Sequence, residues 1–452
     1  MRKQIFLCFC YILLLITNAF AENCQSDHFI ISGDLDPRYM QFVQANAEAY
    51  YRNSQGRYFK TGWQKPLTIY YSRTQADTQQ LLDKNGHKIK VDYGFYESSA
   101  PAVYTHQFMN NGELNGWGTL FHEITHHLVQ QNYRDCPEWF NEGLACFLGE
   151  QTRIVKGKLT IGGPNPWREQ LLRNEIEQGR RPNIKRLFSS STEQFNEWDL
   201  GCHFARALFY WLHETGQLEQ YLKTVREKGY ELSVFEETVS EPYVKINAEL
   251  SKFIKKDCYA GAYLKDGRQT EDQAQKIQAF LKALELKPDY QTARLELAEC
   301  YFRSNDSEKC RDNLKQILDD PESIEYRQAA GLMANTYYNQ KDYPKALEYY
   351  NKAWEYSDDY EYKYRLAYQI GNCCYHLEDT EGAKQWYKKF LDCKWEKDTM
   401  KTAVDYAHKY LASVTAVDAN HGKCEADATI EANSTDNKQQ HQEQSTTDTA
   451  SP

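Results

Sequence analysis

An α+β domain followed by an all-α helical-repeat superhelix is the fold class this sequence predicts, and three observations carry it. Strand-like and helix-like runs mix over residues 28–116; two amphipathic helices with histidines and a glutamate follow; from about residue 261 one helical pattern recurs every 36 or 37 residues. A 452-residue chain with 41% hydrophobic residues has material for two or three domains with their own cores.

At the N terminus, Arg2-Lys3, an apolar run from Ile5 to Ile16 and the small-x-small Ala19-Phe20-Ala21 make up a signal peptide over residues 1–21. Export to a periplasmic or secreted location is expected, with cleavage near Ala21. The apolar run is short for a membrane span of about 20 residues, so no stable span is expected. A lipoprotein needs small residues directly before its cysteine, and Glu22-Asn23 precede Cys24. Losing Arg2 and Lys3 with the leader takes the net charge from −10 to −12, which argues against nucleic acid as a partner. Of 13 cysteines, two leave with the leader, and the remaining odd number without regular spacing defines no disulfide framework.

The first domain, residues 22–260, opens with a helix-like run from Asp36 to Tyr51, an alternating strand at Leu67–Tyr71 and a strand-like stretch over Ala100–Phe108. His122-Glu123-Ile124-Thr125-His126 follows. Histidines four apart lie one above the other on a helix, so both imidazoles reach one ion, with Glu123 beside it. Trp117, Leu120, Phe121, Ile124 and Leu128 form an apolar stripe on the opposite face, so one face packs and the other looks into a cleft. His127 points away from the pair and reads as a rim or second-layer residue. A catalytic zinc needs a third protein ligand and an open fourth position. Asp135-Cys136-Pro137 reads as a turn into a new helix with Pro137 at its first position, placing Glu138 and Glu142 one turn apart. Either could reach the metal; the glycine after Glu142 permits close approach of another backbone, which favours Glu142. Neither Cys136 nor Cys146 has thiolate–zinc spacing from the histidines, and Cys146, Cys300, Cys310, Cys373 and Cys374 read as small buried residues.

HEITH, twelve intervening residues and then Trp139-Phe140-Asn141-Glu142-Gly143-Leu144-Ala145 resemble the gluzincin metallopeptidases, with the nearest match to the smaller peptidase MA-like proteins. The resemblance covers about residues 28–215. It implies a zincin-like domain with His122, His126 and Glu142 holding Zn2+ and Glu123 as general base in hydrolysis of a peptide or protein substrate. No Gly-x-Met-Glu-Asn element precedes the motif, so exopeptidase activity is not implied. Relatives carry a tyrosine near the start of a later helix; here Asp199–Leu212 has Cys202-His203. His203 is therefore a candidate catalytic donor to the oxyanion, a solvated helix histidine being the other reading. In this fold class a strand just before the HExxH helix borders the cleft, which makes Tyr104 and His106 candidate substrate-binding residues. His87 and His213 lie in polar contexts and need no function.

Past residue 261 the helical pattern declares itself a repeat. Leu297-Ala298-x-x-Tyr301, Met333-Ala334-x-x-Tyr337 and Ile370-Gly371-x-x-Cys374 share a register, each followed twelve residues after its small residue by Cys310, Ala346 or Ala383. Ala283–Pro288 closes a degenerate earlier copy. This resembles tetratricopeptide repeats, whose small positions let the two helices of a hairpin approach and whose neighbours stack. Residues 261–415 form this domain, with Lys397–Val414 as a capping helix, and a protein partner through the repeats is expected. Residues 416–452 have no aromatic residue and read as a disordered polar tail. A repeat adaptor with an inactive metallopeptidase-like domain is the alternative to an enzyme.

Overall fold

The computed structural model describes residues 24–415 except positions 34, 64, 107–115, 151, 156–157, 161–162, 358–359 and 393–399. The expected leader and polar tail lie outside the described residues.

Five short strands form the first sheet: β1 (Cys24–Gln25), β2 (Phe29–Ser32), β3 (Leu67–Ser72), β4 (Gly94–Glu97) and β5 (Ala102–His106), in the order β1-β2-β3-β5-β4. β2, β3 and β5 run parallel, and β4 closes one edge antiparallel to β5, with Tyr96 opposite Val103. Successive side chains alternate between faces. Phe29, Ile31, Ile69, Tyr71 and Val103 pack into the main core, while Tyr70, Ala102 and Tyr104 pack on the other face with Leu82 and Val91.

Two helices are launched by local chemistry. In α1 (Pro37–Ser54) Asp36 accepts the Arg38 N–H at 2.9 Å, and Pro37 takes the first position, where a missing donor costs nothing. In α2 (Gln75–Lys84) Thr74 and Asp77 form a reciprocal capping box. Then come α3 (Gly116–Asn132), which carries HEITH, and α4 (Glu138–Leu148), which carries Glu142. Pro137 caps α4 from one position outside the helix, where its fixed φ of −65° suits the extended cap geometry. Of the expected stripe on α3, Leu120, Phe121, Ile124 and Leu128 are buried, and Trp117 is half-buried against the same core. The Tyr50 ring of α1 stacks on Phe121 at 4.4 Å, and its hydroxyl meets Thr125 Oγ1 at 2.5 Å, so the middle of HEITH is pinned to α1.

A hairpin of β6 (Arg153–Val155) and β7 (Lys158–Thr160) leads into α5 (Pro166–Glu177), α6 (Ile184–Ser189), α7 (Thr192–Asn196), α8 (Gly201–Glu214), α9 (Leu218–Lys228), α10 (Leu232–Val239) and α11 (Tyr243–Phe253). α4 lies against α8 through Gly143, where a Cβ would fall 2.8 Å from that of Ala205.

No loop marks a boundary near residue 260. A π-helical turn at Ile254–Cys258 joins α11 to α12 (Tyr259–Gln269), so the chain stays helical across the junction. α12 serves both domains. Asp266 takes a two-pronged hydrogen bond from Arg173 of α5 at 2.8 and 2.9 Å, and Gly267 admits the Phe280 ring of α13 (Gln273–Leu286).

Helices then pair in sequence order: α12 with α13, α14 (Gln291–Arg303) with α15 (Ser307–Leu318), α16 (Tyr326–Asn339) with α17 (Tyr343–Glu355), and α18 (Tyr360–His376) with α19 (Thr380–Leu391), before a helix over 401–415. The turns inside the last three hairpins use one device. Asn305, Lys341 and Glu378 each adopt φ near +60°, and the next residue, Asp306, Asp342 or Asp379, caps the second helix by accepting an N–H three residues on. Tyr350 donates to Asn335 at 2.6 Å and Tyr387 to Asn372 at 2.8 Å, one bond repeated 37 residues apart. Ala298 and Ala334 are fully buried, and at Gly371 a Cβ would lie 2.8 Å from the Tyr387 ring, which is why the register demands small residues. No described helix is long and apolar enough to cross a membrane.

Candidate metal centre

α3 and α4 bring three of the expected ligands together. His122 Nε2 and His126 Nε2 are 3.0 Å apart; the Glu142 carboxylate lies 3.4 Å from His126 Nε2 and 3.8 Å from His122 Nε2. Two ligands each about 2.0–2.1 Å from a tetrahedral ion sit roughly 3.3 Å from one another, so this spacing suits a zinc-sized ion. Glu138, the other sequence candidate, stands a turn earlier on α4, where burial and then Glu142 raise its pKa. Asn141, absent from the sequence candidates, meets His126 Nδ1 through its Oδ1 at 2.9 Å. An amide oxygen only accepts, so Nδ1 carries the proton and Nε2 keeps its lone pair for the site. It could have been found, since it adjoins Glu142 in the second motif.

Glu123 is 7% exposed, and burial pushes its carboxyl up to about 7, with His126 opposing and Glu142 reinforcing the shift. The Tyr96 backbone N–H of β4 bonds to it. Gly94 makes that approach possible, since a Cβ there would fall 2.8 Å from Glu123 Oε1. Burial and then His126 hold His122 well below the usual imidazole range; burial also pulls on His126, but Glu142 and Glu123 outweigh it and leave its pKa raised.

These residues line a cavity of about 620 Å³, within the ordinary size of a ligand site. One wall is the edge strand β4, through Gly94, Phe95 and Tyr96, with Ser98 just beyond it; the other is the turn and first helical residues from Tyr133 to Glu142. His127 is outside the cavity lining and stands behind Tyr96, which lines it. Its Nδ1 is 2.7 Å from the Tyr96 hydroxyl, Trp63 packs on it at 4.6 Å, and burial takes its pKa down to about 4.

The two substrate-contact candidates do not reach this cleft. β5 is an interior strand, so β4 takes the bordering position expected of it. Tyr104 is on the face turned to α2, stacked on Tyr70 at 4.7 Å and accepting from Asn85 at 3.1 Å. His106 shares its parity, is 5% exposed, and feels Asp77 of α2. Neither belongs to the cavity lining.

His203 is corrected too. Its Nδ1 sits 3.3 Å from an Arg168 guanidinium nitrogen and its ring stands edge-on to Trp167. Burial, then Arg168 and Arg206, bring its pKa to about 3, and it is outside the cavity lining. With Nδ1 accepting from the guanidinium, the ring proton sits on Nε2; what separates His203 from the expected donor role is its position outside the cavity lining. Cys146 departs from expectation in the other direction. One turn after Glu142 on α4, it offers its sulfur within 4.8 Å of donor atoms of both His122 and Glu142. Burial drives its thiol well above its ordinary pKa, so it packs as a neutral group.

No protein-family model and no curated relative matches the chain. Among solved structures, the MamA RS-1 ArsTM double mutant aligns at 15% identity over 39% of this chain and 92% of its own, with a TM-score of 0.27. A signal transduction ATPase with numerous domains and a tetratricopeptide repeat sensor, from Pyrococcus horikoshii, aligns at 14% identity with a TM-score of 0.34. That alignment covers 85% of this chain and 63% of the other, so this chain spans less than two thirds of its length. The helical-repeat architecture stands on the helix pairing itself.

Proposed function

We propose that this chain is an exported zinc-dependent peptidase of the endopeptidase type, whose repeat array recruits a protein substrate or partner. The convergence of His122, His126 and Glu142 beside a buried carboxyl in an open cleft carries the reading. Zinc, when bound, supplies Lewis acidity and lowers the pKa of water to about 7. The protein's own groups do the rest. Glu123 takes the proton of the attacking water and passes it to the leaving amine. Asn141 keeps the His126 ring in the tautomer that ligates. Among the described residues β4 is the edge strand of its sheet, so an extended peptide could pair along it on the wall that faces Glu123.

One observation favours the repeat-adaptor alternative, in which turnover is absent. His203, the expected oxyanion donor, lies outside the cavity lining, with its Nδ1 turned to Arg168. Zinc-loaded wild type and Glu123→Gln, incubated with an unfolded protein substrate, separate the readings. Cleavage by wild type alone supports the peptidase; zinc binding without cleavage by either supports the adaptor; equal cleavage by both assigns the activity to a contaminant.

A further inference from the structure

His126 has a partner that fixes its ring, whereas His122 does not have one of good geometry. Its Nδ1 is buried without a well-placed hydrogen bond, although the Ala145 carbonyl and Glu150 are near. Glu150 Oε1 is 3.9 Å away. This carboxylate is 4% exposed and is held from the other side with unusual completeness. Oε2 accepts from Asn165 Nδ2 at 2.6 Å and from Arg168 Nε at 2.7 Å; Oε1 accepts from a second Arg168 nitrogen at 2.6 Å. The remaining Arg168 nitrogen reaches His203 Nδ1 at 3.3 Å. Four elements thus meet behind the first histidine: the end of α4, the Asn165 cap and first turn of α5, α8, and α3 itself.

We propose that Glu150 is the positioning carboxylate for His122, that Arg168 clamps it in place, and that His203 serves this clamp by accepting its outermost N–H. A carboxylate taking the far N–H of a ligating imidazole fixes its tautomer and orientation and raises its basicity. The two-pronged Arg168–Glu150 contact is suited to the task, because a planar fork removes the rotational freedom of the carboxylate. Seen this way, the buried pair lies outside the cleft because it acts through His122. The chemistry of His203 follows as well: an unprotonated Nδ1 is what a guanidinium requires. The proposal rests on the zinc reading above, and both can be tested separately.

Zinc affinity of the full chain, measured by competition with a chromophoric chelator, is the readout, with far-ultraviolet circular dichroism of each metal-free variant as the check on folding. Glu150→Asp keeps the charge and withdraws the carboxylate; Glu150→Gln combined with Arg168→Gln removes both charges and leaves no buried ion alone. Each folded variant is expected to bind zinc about 10–100-fold more weakly than wild type. Arg168→Lys, which keeps the charge but loses the fork, is expected to weaken binding in the same direction. Wild-type affinity in any folded variant lacking the Glu150 carboxylate overturns the proposal. Absence of zinc binding by wild type overturns it together with the reading on which it rests.

Discussion

Acid should loosen the wall of the cleft through His127. Its pKa is about 4 in the folded chain against an ordinary 6.5, with burial as the cause. The unfolded state therefore binds more protons than the native state between those values, and the contribution of this residue to stability falls as pH drops through 6.5 and levels off below about 4. At pH 5.0 the loss relative to pH 7.5 is about 2 kcal/mol, corresponding to roughly a 30-fold rise in the population of any opening that hydrates the ring. His127 ties β4 to α3 through the Tyr96 hydroxyl at 2.7 Å, so this opening separates the β4 wall of the cleft from the helix that carries His122 and His126. Hydrogen exchange of β4 and α3 amides at the two pH values, corrected for intrinsic rates, reads it directly. His127→Gln keeps a hydrogen-bonding group towards Tyr96 but cannot be charged, and should remove about 30-fold of the wild-type loss of protection. Equal loss of protection in wild type and variant would refute the argument, since other buried imidazoles are unchanged by the substitution.

Three further outcomes follow from packing and hydrogen bonding. Gly149→Ala places a Cβ about 2.4 Å from the His122 backbone nitrogen, so α4 must shift from α3; thermal unfolding should show a cost of about 1–3 kcal/mol, and zinc affinity should fall as well. Thr125→Val leaves the buried Tyr50 hydroxyl without its closest partner and should cost about 1–3 kcal/mol in chemical denaturation. Asp342→Ala removes the cap of α17 and should lower the stability of the repeat array by about 1 kcal/mol, with wild-type zinc affinity retained.

Much of this was legible because it is local. The stripe of α3, the four-residue step from His122 to His126 and the turn into α4 depend on helical periodicity alone, and the small residues of the repeats keep a fixed register. What the sequence conceals is long-range pairing. Leu67–Tyr71 and Ala100–Phe108 both read as strands, but nothing in them says that Gly94-Phe95-Tyr96-Glu97, too short to show a period, would take the edge. Once it does, Tyr104 and His106 belong to an interior strand and their parity turns them towards α2. His203 was misread for a related reason. Its helix was evident, yet its role depends on Arg168, 35 residues earlier, and on Glu150, 18 residues before that. Cys146 shows the opposite error: spacing from the histidines hid a proximity that its one-turn relation to Glu142 contained.

The most direct measurement is the zinc content of purified, chelator-stripped and reconstituted chain, by elemental analysis, for wild type beside His126→Ala and Glu142→Ala. The account predicts one tightly held zinc per wild-type chain and its loss from both variants. A wild-type chain that retains no zinc, or a Glu142→Ala variant that holds it as tightly as wild type, would contradict it.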